Sequence, residues 1–205
     1  MPSSVTEVDV VNRALVKLGA KKISSLDDDG KSERVMSNIV DVVRDKFLRE
    51  SPWNPAVKRV QLAANTVAPA YGFATAYDLP SDYIKLLNVE SPETTVSAYS
   101  SSNNTAKNIA YKLEGGQILC DETGALNVRY VSRLTDMTKY DPTMIEALAT
   151  LYAKEACMSL REDSGLRDQL SFEYKNLIFE AKQNDGWDDD MYDFPTDEWL
   201  DSYNG

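Results

Sequence analysis

Residues 141–152 read DPTMIEALATLY, and this stretch decides the fold because helical periodicity returns here after a long β-rich segment. Asp141 can cap a helix, and Pro142 suits the first helical position, where its missing N–H costs nothing. Apolar residues then recur along one helical face at Ile145, Leu148, Leu151, Tyr152 and Leu160. The chain therefore re-enters a helical domain in its C-terminal part.

A last helix is predicted after Ser164-Gly165, on the apolar stripe Leu166, Leu170, Tyr174, Leu177, Ile178 and Ala181. Two further helices are predicted near the N-terminus. The first begins after Thr6, which can form a capping box with Asp9, and ends at Gly19. The second runs from about Ser32 to Phe47, and Pro52 prevents its continuation. We expect these two helices to pair as an antiparallel hairpin.

The segment between the helices is rich in β-branched and aromatic residues, with turn residues at short intervals. Strands are predicted at Val57–Leu62, Tyr83–Glu90 and Ala125–Ser132. Tyr111–Cys120 is predicted to be a hairpin closed by Gly115-Gly116. Ser97–Lys107, rich in Ser and Asn, is predicted to be an exposed mobile loop. The sequence thus predicts an α+β fold: a four-helix bundle (residues 1–52 and 137–183) with a small antiparallel β subdomain (53–136) inserted in it.

The remaining residues, 184–205, are predicted to form an extended acidic tail. Residues 183–205 hold eight of the 33 acidic residues and no Lys or Arg, and they account for most of the net charge of −11. Aromatic residues are interleaved with the acids at Trp187, Tyr192, Phe194, Trp199 and Tyr203. High charge alone favours a disordered, solvating terminus. Exposed Trp and Tyr forgo the burial that makes them interface anchors, so we favour a docking segment that uses Trp187, Tyr192, Phe194 and Trp199.

Composition excludes several functional classes. Apolar residues make up 42% and charged residues 27% of the 205 residues, which is ordinary for a globular protein. The net negative charge argues against a protein that binds nucleic acid through phosphate contacts. No basic leader precedes an apolar run, and no window approaches the ~18 apolar residues that a membrane span needs. We therefore expect a soluble, unsecreted protein without a membrane anchor, in which Cys120 and Cys157 are reduced thiols.

The sequence predicts no catalytic, cofactor-binding or metal-binding residues. It contains no His, which removes Ser-His-Asp and Cys-His machinery. Residues 27–30, DDDG, resemble part of a calcium loop, but Ser25 and Met36 stand where that loop needs Asp and Glu. Gly115-Gly116 lacks the Lys and Ser/Thr of a phosphate loop. Carboxylate chemistry stays open as a weaker hypothesis, with Glu114, Asp121 and Glu122 as its members.

Several short motifs, taken in their order along the chain, resemble the head-to-tail adaptor proteins of short-tailed bacteriophages, the tail tubular protein A family. These motifs are Leu18-Gly19, Ser51-Pro52-Trp53, Tyr77–Leu87, Leu113–Leu119, Arg129-Tyr130, Asp136 and Glu146–Ala149. Each is short, so the specificity comes from their order and spacing. The resemblance covers nearly the whole chain up to about Trp187 and does not extend to the tail.

The resemblance implies a helical bundle bearing a β subdomain, assembled into a twelve-membered ring between the portal of the capsid and the nozzle of the tail. Genomic DNA would pass through the ring without specific contacts, and an acidic chain suits such a conduit because it repels phosphate. The implied partners are other copies of the chain, the portal, the nozzle, and tail fibres or spikes. The implied location is the head–tail junction of a virion assembled in the bacterial cytoplasm. Two alternatives stay open: a neck or head-completion protein of a long-tailed phage, and a tail-associated, carboxylate-dependent hydrolase.

Overall fold

A computed structural model describes residues 5–90 and 109–187 and shows an α+β fold. In these residues the helices are α1 (Glu7–Lys17), α2 (Lys31–Glu50), α3 (Pro142–Leu160) and α4 (Ser164–Trp187). The strands are β1 (Val57–Leu62), β2 (Thr75–Asp78), β3 (Tyr83–Glu90), β4 (Tyr111–Glu114), β5 (Gln117–Cys120) and β6 (Leu126–Ser132). The predicted loop at Ser97–Lys107 and the tail beyond residue 187 lie outside the described residues.

The helix α3 is the centre of the helical region, because α1, α2 and α4 all pack against it. Residues 147–153 of α3 are buried without interruption, so this helix is buried on every side over two turns. The prediction that α1 and α2 pack chiefly on each other as a hairpin is wrong, because each of them packs chiefly on α3. Each has one apolar stripe to bury, and α3 offers the larger apolar surface. An ion pair between Arg44 and Glu7 links α1 to α2 directly.

The helix ends follow the sequence signals closely. Thr6 and Asp9 form a complete capping box at α1, and the hydrogen bonds from Thr6 lower the pKa of Asp9. Asp141 caps α3 by accepting a hydrogen bond from the backbone N–H of Thr143 at 2.8 Å. Gly19 follows α1 with a φ of +62°, a conformation that glycine adopts without strain. These predictions are confirmed.

The strands form two three-stranded antiparallel sheets, one ordered β1-β6-β3 and the other β2-β5-β4. The two sheets share a core in which Leu126, Val128 and Tyr130 of β6 pack with Tyr77 and Ile118. The predicted strands and the β4–β5 hairpin are present. The sequence prediction missed β2, since it is only four residues long and runs directly into a turn.

The β region joins the helical region through Trp53. Its ring stacks on Phe47 at the end of α2, with ring centroids 4.9 Å apart, and its indole N–H donates a 3.0 Å hydrogen bond to the Phe47 carbonyl. Ile84 and Val131 from the first sheet belong to the helical core. The Ser132 hydroxyl donates to the Ala56 carbonyl at 2.8 Å. The two regions are therefore held together by shared core packing and not by chain connection alone.

Asp82 ties three strands at the turn before β3. Its carboxylate accepts hydrogen bonds from Lys58 of β1 at 2.6 Å and from the Tyr130 hydroxyl of β6 at 2.9 Å. Burial alone would raise the pKa of Asp82, but these two donors lower it below its usual value of 3.8. Burial and the neighbouring carboxylate in turn raise the pKa of Tyr130 to about 12. The turn was predicted from sequence, whereas its role as a junction was not.

Asp82 should make the fold acid-sensitive. A carboxyl group whose pKa is lower in the folded state stabilises the fold above its unfolded pKa, and this stability is lost as the pH falls through the folded pKa. We expect Asp82→Asn to lower the free energy of unfolding by about 1–2 kcal/mol at pH 7, with a smaller difference at pH 2. Urea unfolding across this pH range measures both quantities. Asp168→Asn is a matched control, since Asp168 has no ion pair or hydrogen-bonded side chain among the described residues; an equal loss in the control would contradict the assignment.

Candidate functional site

The predicted docking segment begins at the end of α4. Of its four anchor residues, only Trp187 belongs to the described residues, as the last residue of α4. Tyr192, Phe194 and Trp199 lie outside them. Helix α4 continues past the predicted boundary at residue 183, so residues 184–187 are helical and not part of an extended tail.

The last turn of α4 is anchored to the start of the β region. The backbone N–H of Asn54 donates to both carboxylate oxygens of Asp185, at 3.0 and 3.2 Å, and the Asn54 side-chain amide donates to the Asp185 carbonyl at 2.7 Å. A carboxylate near a helix C-terminus is electrostatically unfavourable, and these donors offset that cost. They explain why the helix extends to Trp187. The end of α4 therefore lies beside the junction of the helical and β regions.

The inner face of α4 carries the predicted apolar stripe. Leu170, Tyr174 and Ala181 are buried there. The Tyr174 hydroxyl donates a 2.7 Å hydrogen bond to Glu50 of α2, and the Lys154 ammonium lies 5.7 Å from the Tyr174 ring centroid. Burial and the adjacent Glu50 raise the pKa of Tyr174. Leu166, Leu177 and Ile178 are partly buried and also pack against the helical core, so this face of α4 is the one that contacts the rest of the helical region.

The opposite side of α4 exposes two large aromatic residues. Phe172 is 69% exposed and Phe179 is 64% exposed. Residues three, seven and ten apart share one side of a helix, so Lys175 and Lys182 lie beside the two phenylalanines. We call these four residues the α4 outer face. Large exposed apolar groups clustered on one surface are typical of interaction sites.

The α4 outer face carries two lysines beside its aromatic rings, with one acid, Asp168, a turn before Phe172. Neither Lys175 nor Lys182 forms an ion pair with any residue that the structure describes. The nearby acid Glu173 is already bonded to Lys17 of α1 at 2.6 Å. Burial alone would lower the pKa of Lys17, but its bonds to Glu173 and Glu146 raise it. The surface thus offers two cations and two aromatic rings to a partner.

Sequence analysis missed this surface. The stripe that predicted α4 included only the residues that pack on the core, and Phe172 and Phe179 fall on the opposite side. The available signal was their seven-residue spacing, which places both rings on one side of the helix away from the buried stripe. Such a spacing outside the core stripe indicates a second apolar surface.

A second set of exposed apolar residues lies in the β region. Val67 and Tyr71, in the segment between β1 and β2, are 77% and 89% exposed. Tyr111 and Leu113 are exposed on β4, which is an edge strand of its sheet. Edge strands with exposed apolar residues are able to pair with another chain. The protein therefore presents two different apolar surfaces, one helical and one on a sheet edge.

The three carboxylates considered for catalysis are not brought together as a set. Glu114 pairs with Lys112 at 2.5 Å, and Asp121 accepts a hydrogen bond from the backbone of Ala74 at 3.0 Å. Glu114 pairs across the sheet with Gln117. Gln117 precedes Asp121 by four residues, and four residues span about 13 Å along a strand. Glycosidase carboxyl pairs are separated by about 5–9.5 Å. Glu122 is adjacent to Asp121 and contributes its backbone carbonyl to a 3.0 Å hydrogen bond from the Tyr77 hydroxyl.

Other candidate chemical sites have structural explanations. Within residues 5–90 and 109–187 no group of three or more Cys, Asp or Glu residues could hold a metal ion. Cys120 and Cys157 are buried free thiols, and burial raises the pKa of both. An open groove of about 560 Å³ lies beside α1. Its lining includes the charged residues Asp9 and Lys22, together with Arg13 and Lys17, which both pair with Glu146.

The chain matches no protein-family model, and no curated protein matches it significantly. Among the described residues, none of the helices combines the length and apolar character that a membrane crossing requires.

Proposed function

We propose that the protein is a head-to-tail adaptor of a short-tailed bacteriophage, a structural virion protein that forms a ring between portal and tail nozzle. The observation that carries the proposal is the ordered set of motifs resembling the tail tubular protein A family. Several of these motifs occupy positions that determine the fold: Trp53 joins the two regions, Asp82 ties three strands, and Glu146–Ala149 lies in the central helix. Proteins that share one architecture are expected to share residues at such positions.

The proposal includes the finer architecture. The four helices would act as one bundle around α3, built from residues 1–52 and from 137 to Trp187, where α4 ends, with residues 53–136 as an inserted β subdomain. A cyclic ring needs heterologous contacts, in which one surface of a subunit meets a different surface of its neighbour. The α4 outer face and the exposed β4 edge are two unlike surfaces, and either is able to form one side of such a contact.

The ring would serve as a conduit for genomic DNA at the head–tail junction. The net charge of −11 supports this role, because an acidic protein repels phosphate and lets DNA slide. The portal, the nozzle and tail fibres or spikes would be its other partners, and assembly would take place in the bacterial cytoplasm. No cofactor or catalytic residue is part of the proposal.

We expect the purified protein to form a closed ring, of twelve subunits, alone or when its portal is added. Native mass spectrometry gives the subunit number, and electron microscopy of the mixture locates the ring on the portal. A protein that stays monomeric and ignores the portal would contradict the adaptor function. Hydrolysis of peptidoglycan or capsular polysaccharide that is lost in Glu114→Gln or Glu122→Gln would instead favour the hydrolase.

A further inference from the structure

We propose that the α4 outer face binds the acidic, aromatic segment 188–205 of a neighbouring copy of this chain. The inference rests on the proposed ring and identifies the pair of surfaces that closes it. The receptor is Phe172, Lys175, Phe179 and Lys182, and the ligand is the segment that contains Tyr192, Phe194 and Trp199.

The apolar parts of the two surfaces match in size. Phe172 and Phe179 are seven residues apart, which is about 10 Å along a helix. An extended chain covers about 3.3 Å per residue, so the stretch from Tyr192 to Trp199 is long enough to cover both rings. Aromatic pairs stabilise interfaces beyond the area that they bury. The contact would bury Phe172 and Phe179 of α4 together with the aromatic residues of the segment.

The charges of the two surfaces are complementary. Residues 188–205 contain seven acidic residues and no basic residue. On α4, Lys175 and Lys182 lack acidic partners among the described residues. Opposite charges around an apolar centre speed association and fix the register of an interface. Of the described acids nearby, Glu173 is bonded to Lys17, and Asp168, one turn before Phe172, leaves the two lysines in excess.

A neighbouring copy is favoured over the chain's own segment. Asp188, Asp189 and Asp190 follow α4 directly, and no Gly or Pro occurs before Pro195 to reverse the chain. Reaching the outer face of its own α4 would require the chain to turn back within these residues. Docking on a second subunit avoids this reversal. It also gives the head-to-tail contact that a ring requires.

Two full-length variants test the pairing. The face variant carries Phe172→Ser and Phe179→Ser, and the tail variant carries Tyr192→Ser, Phe194→Ser and Trp199→Ser. We expect each variant alone to assemble at least 30-fold more weakly than the unmodified chain. Mixed together they should form a 1:1 heterodimer, because the intact segment of the face variant meets the intact face of the tail variant. Sedimentation velocity measures both results.

Controls separate this inference from the proposed ring function. Val42→Ser removes a 71% exposed apolar residue from α2 and should leave assembly unchanged. Lys175→Glu with Lys182→Glu should weaken assembly, and added salt should weaken the unmodified contact. Circular dichroism checks that every variant is folded. A face variant that assembles like the unmodified chain, or a mixture without heterodimer, overturns the inference, whereas failure of the unmodified protein to engage the portal counts against the adaptor function alone.

Discussion

Replacing Trp53 by alanine is expected to lower the free energy of unfolding by about 3–5 kcal/mol, the cost of removing a large buried aromatic side chain. Trp53 is fully buried, stacks on Phe47 and donates its indole N–H to the Phe47 carbonyl. The substitution therefore removes the stacking and leaves a cavity where the helical and β regions meet. Urea unfolding followed by circular dichroism measures the loss.

Trp53→Phe provides the matched control for this prediction. Phenylalanine retains most of the stacked area and loses the indole hydrogen bond, so we expect a smaller loss of about 1–2 kcal/mol. If the alanine variant lost no more stability than the phenylalanine variant, stacking at Trp53 would not be what holds the two regions together. A separate early unfolding transition of the β region in Trp53→Ala would support its role as the junction.

Local signals were enough to predict most of the secondary structure. The capping residues Thr6 and Asp141 and the terminating Gly19 are read directly from sequence because each acts within one turn of a helix. The Gly115-Gly116 turn is equally local, and both glycines have positive φ values. Strand β2 was not predicted because its four residues are too few to show the alternation of apolar and polar residues that would distinguish a strand from the turn that follows.

Long-range contacts account for what sequence did not predict. Helices α1 and α2 pack on α3 because α3 offers a surface on all its sides. The sequence of one helix does not show which other helices cover it. Arg44 is another case: arginine is usually exposed, yet its side chain is only 4% exposed between Glu7 and Asp41. The extension of α4 to Trp187 depends on Asn54, which is 131 residues away in sequence from Asp185. Apart from the Arg44–Asp41 pair, which is three residues apart on one helix, these contacts cannot be read from a short sequence window.

The candidate docking site was predictable only in part. The aromatic and acidic composition of residues 183–205 indicated a binding segment, but composition does not say where such a segment binds. The α4 outer face became visible once exposure was known, since Phe172 and Phe179 occur in a helix that also buries an apolar stripe. In the sequence alone, the apolar residues on the exposed side of α4 cannot be told from those on its buried side by residue type.

Removing residues 188–205 should leave the protein folded and strongly weaken its assembly. A chain that ends at Trp187 keeps the bonds between Asp185 and Asn54, so we expect its free energy of unfolding to change by less than about 0.5 kcal/mol. Binding should suffer far more, because the deleted segment supplies both the aromatic anchors and the acids. Isothermal titration or sedimentation with ring subunits and with portal measures the loss for each partner.

Single substitutions show which part of the segment carries the binding energy. Truncating a central aromatic anchor commonly costs ~2 kcal/mol or more at an interface, whereas an exposed charge contributes ~0–1 kcal/mol. Trp199→Ala should therefore weaken binding about 30-fold or more, and Asp201→Asn should weaken it much less. A larger effect of Asp201→Asn would mean that charge, and not aromatic burial, holds the segment in place. Unchanged binding after the full deletion would leave residues 188–205 with a solvating role only, and the contact that closes the ring would then have to use another surface, for which the exposed β4 edge is the alternative.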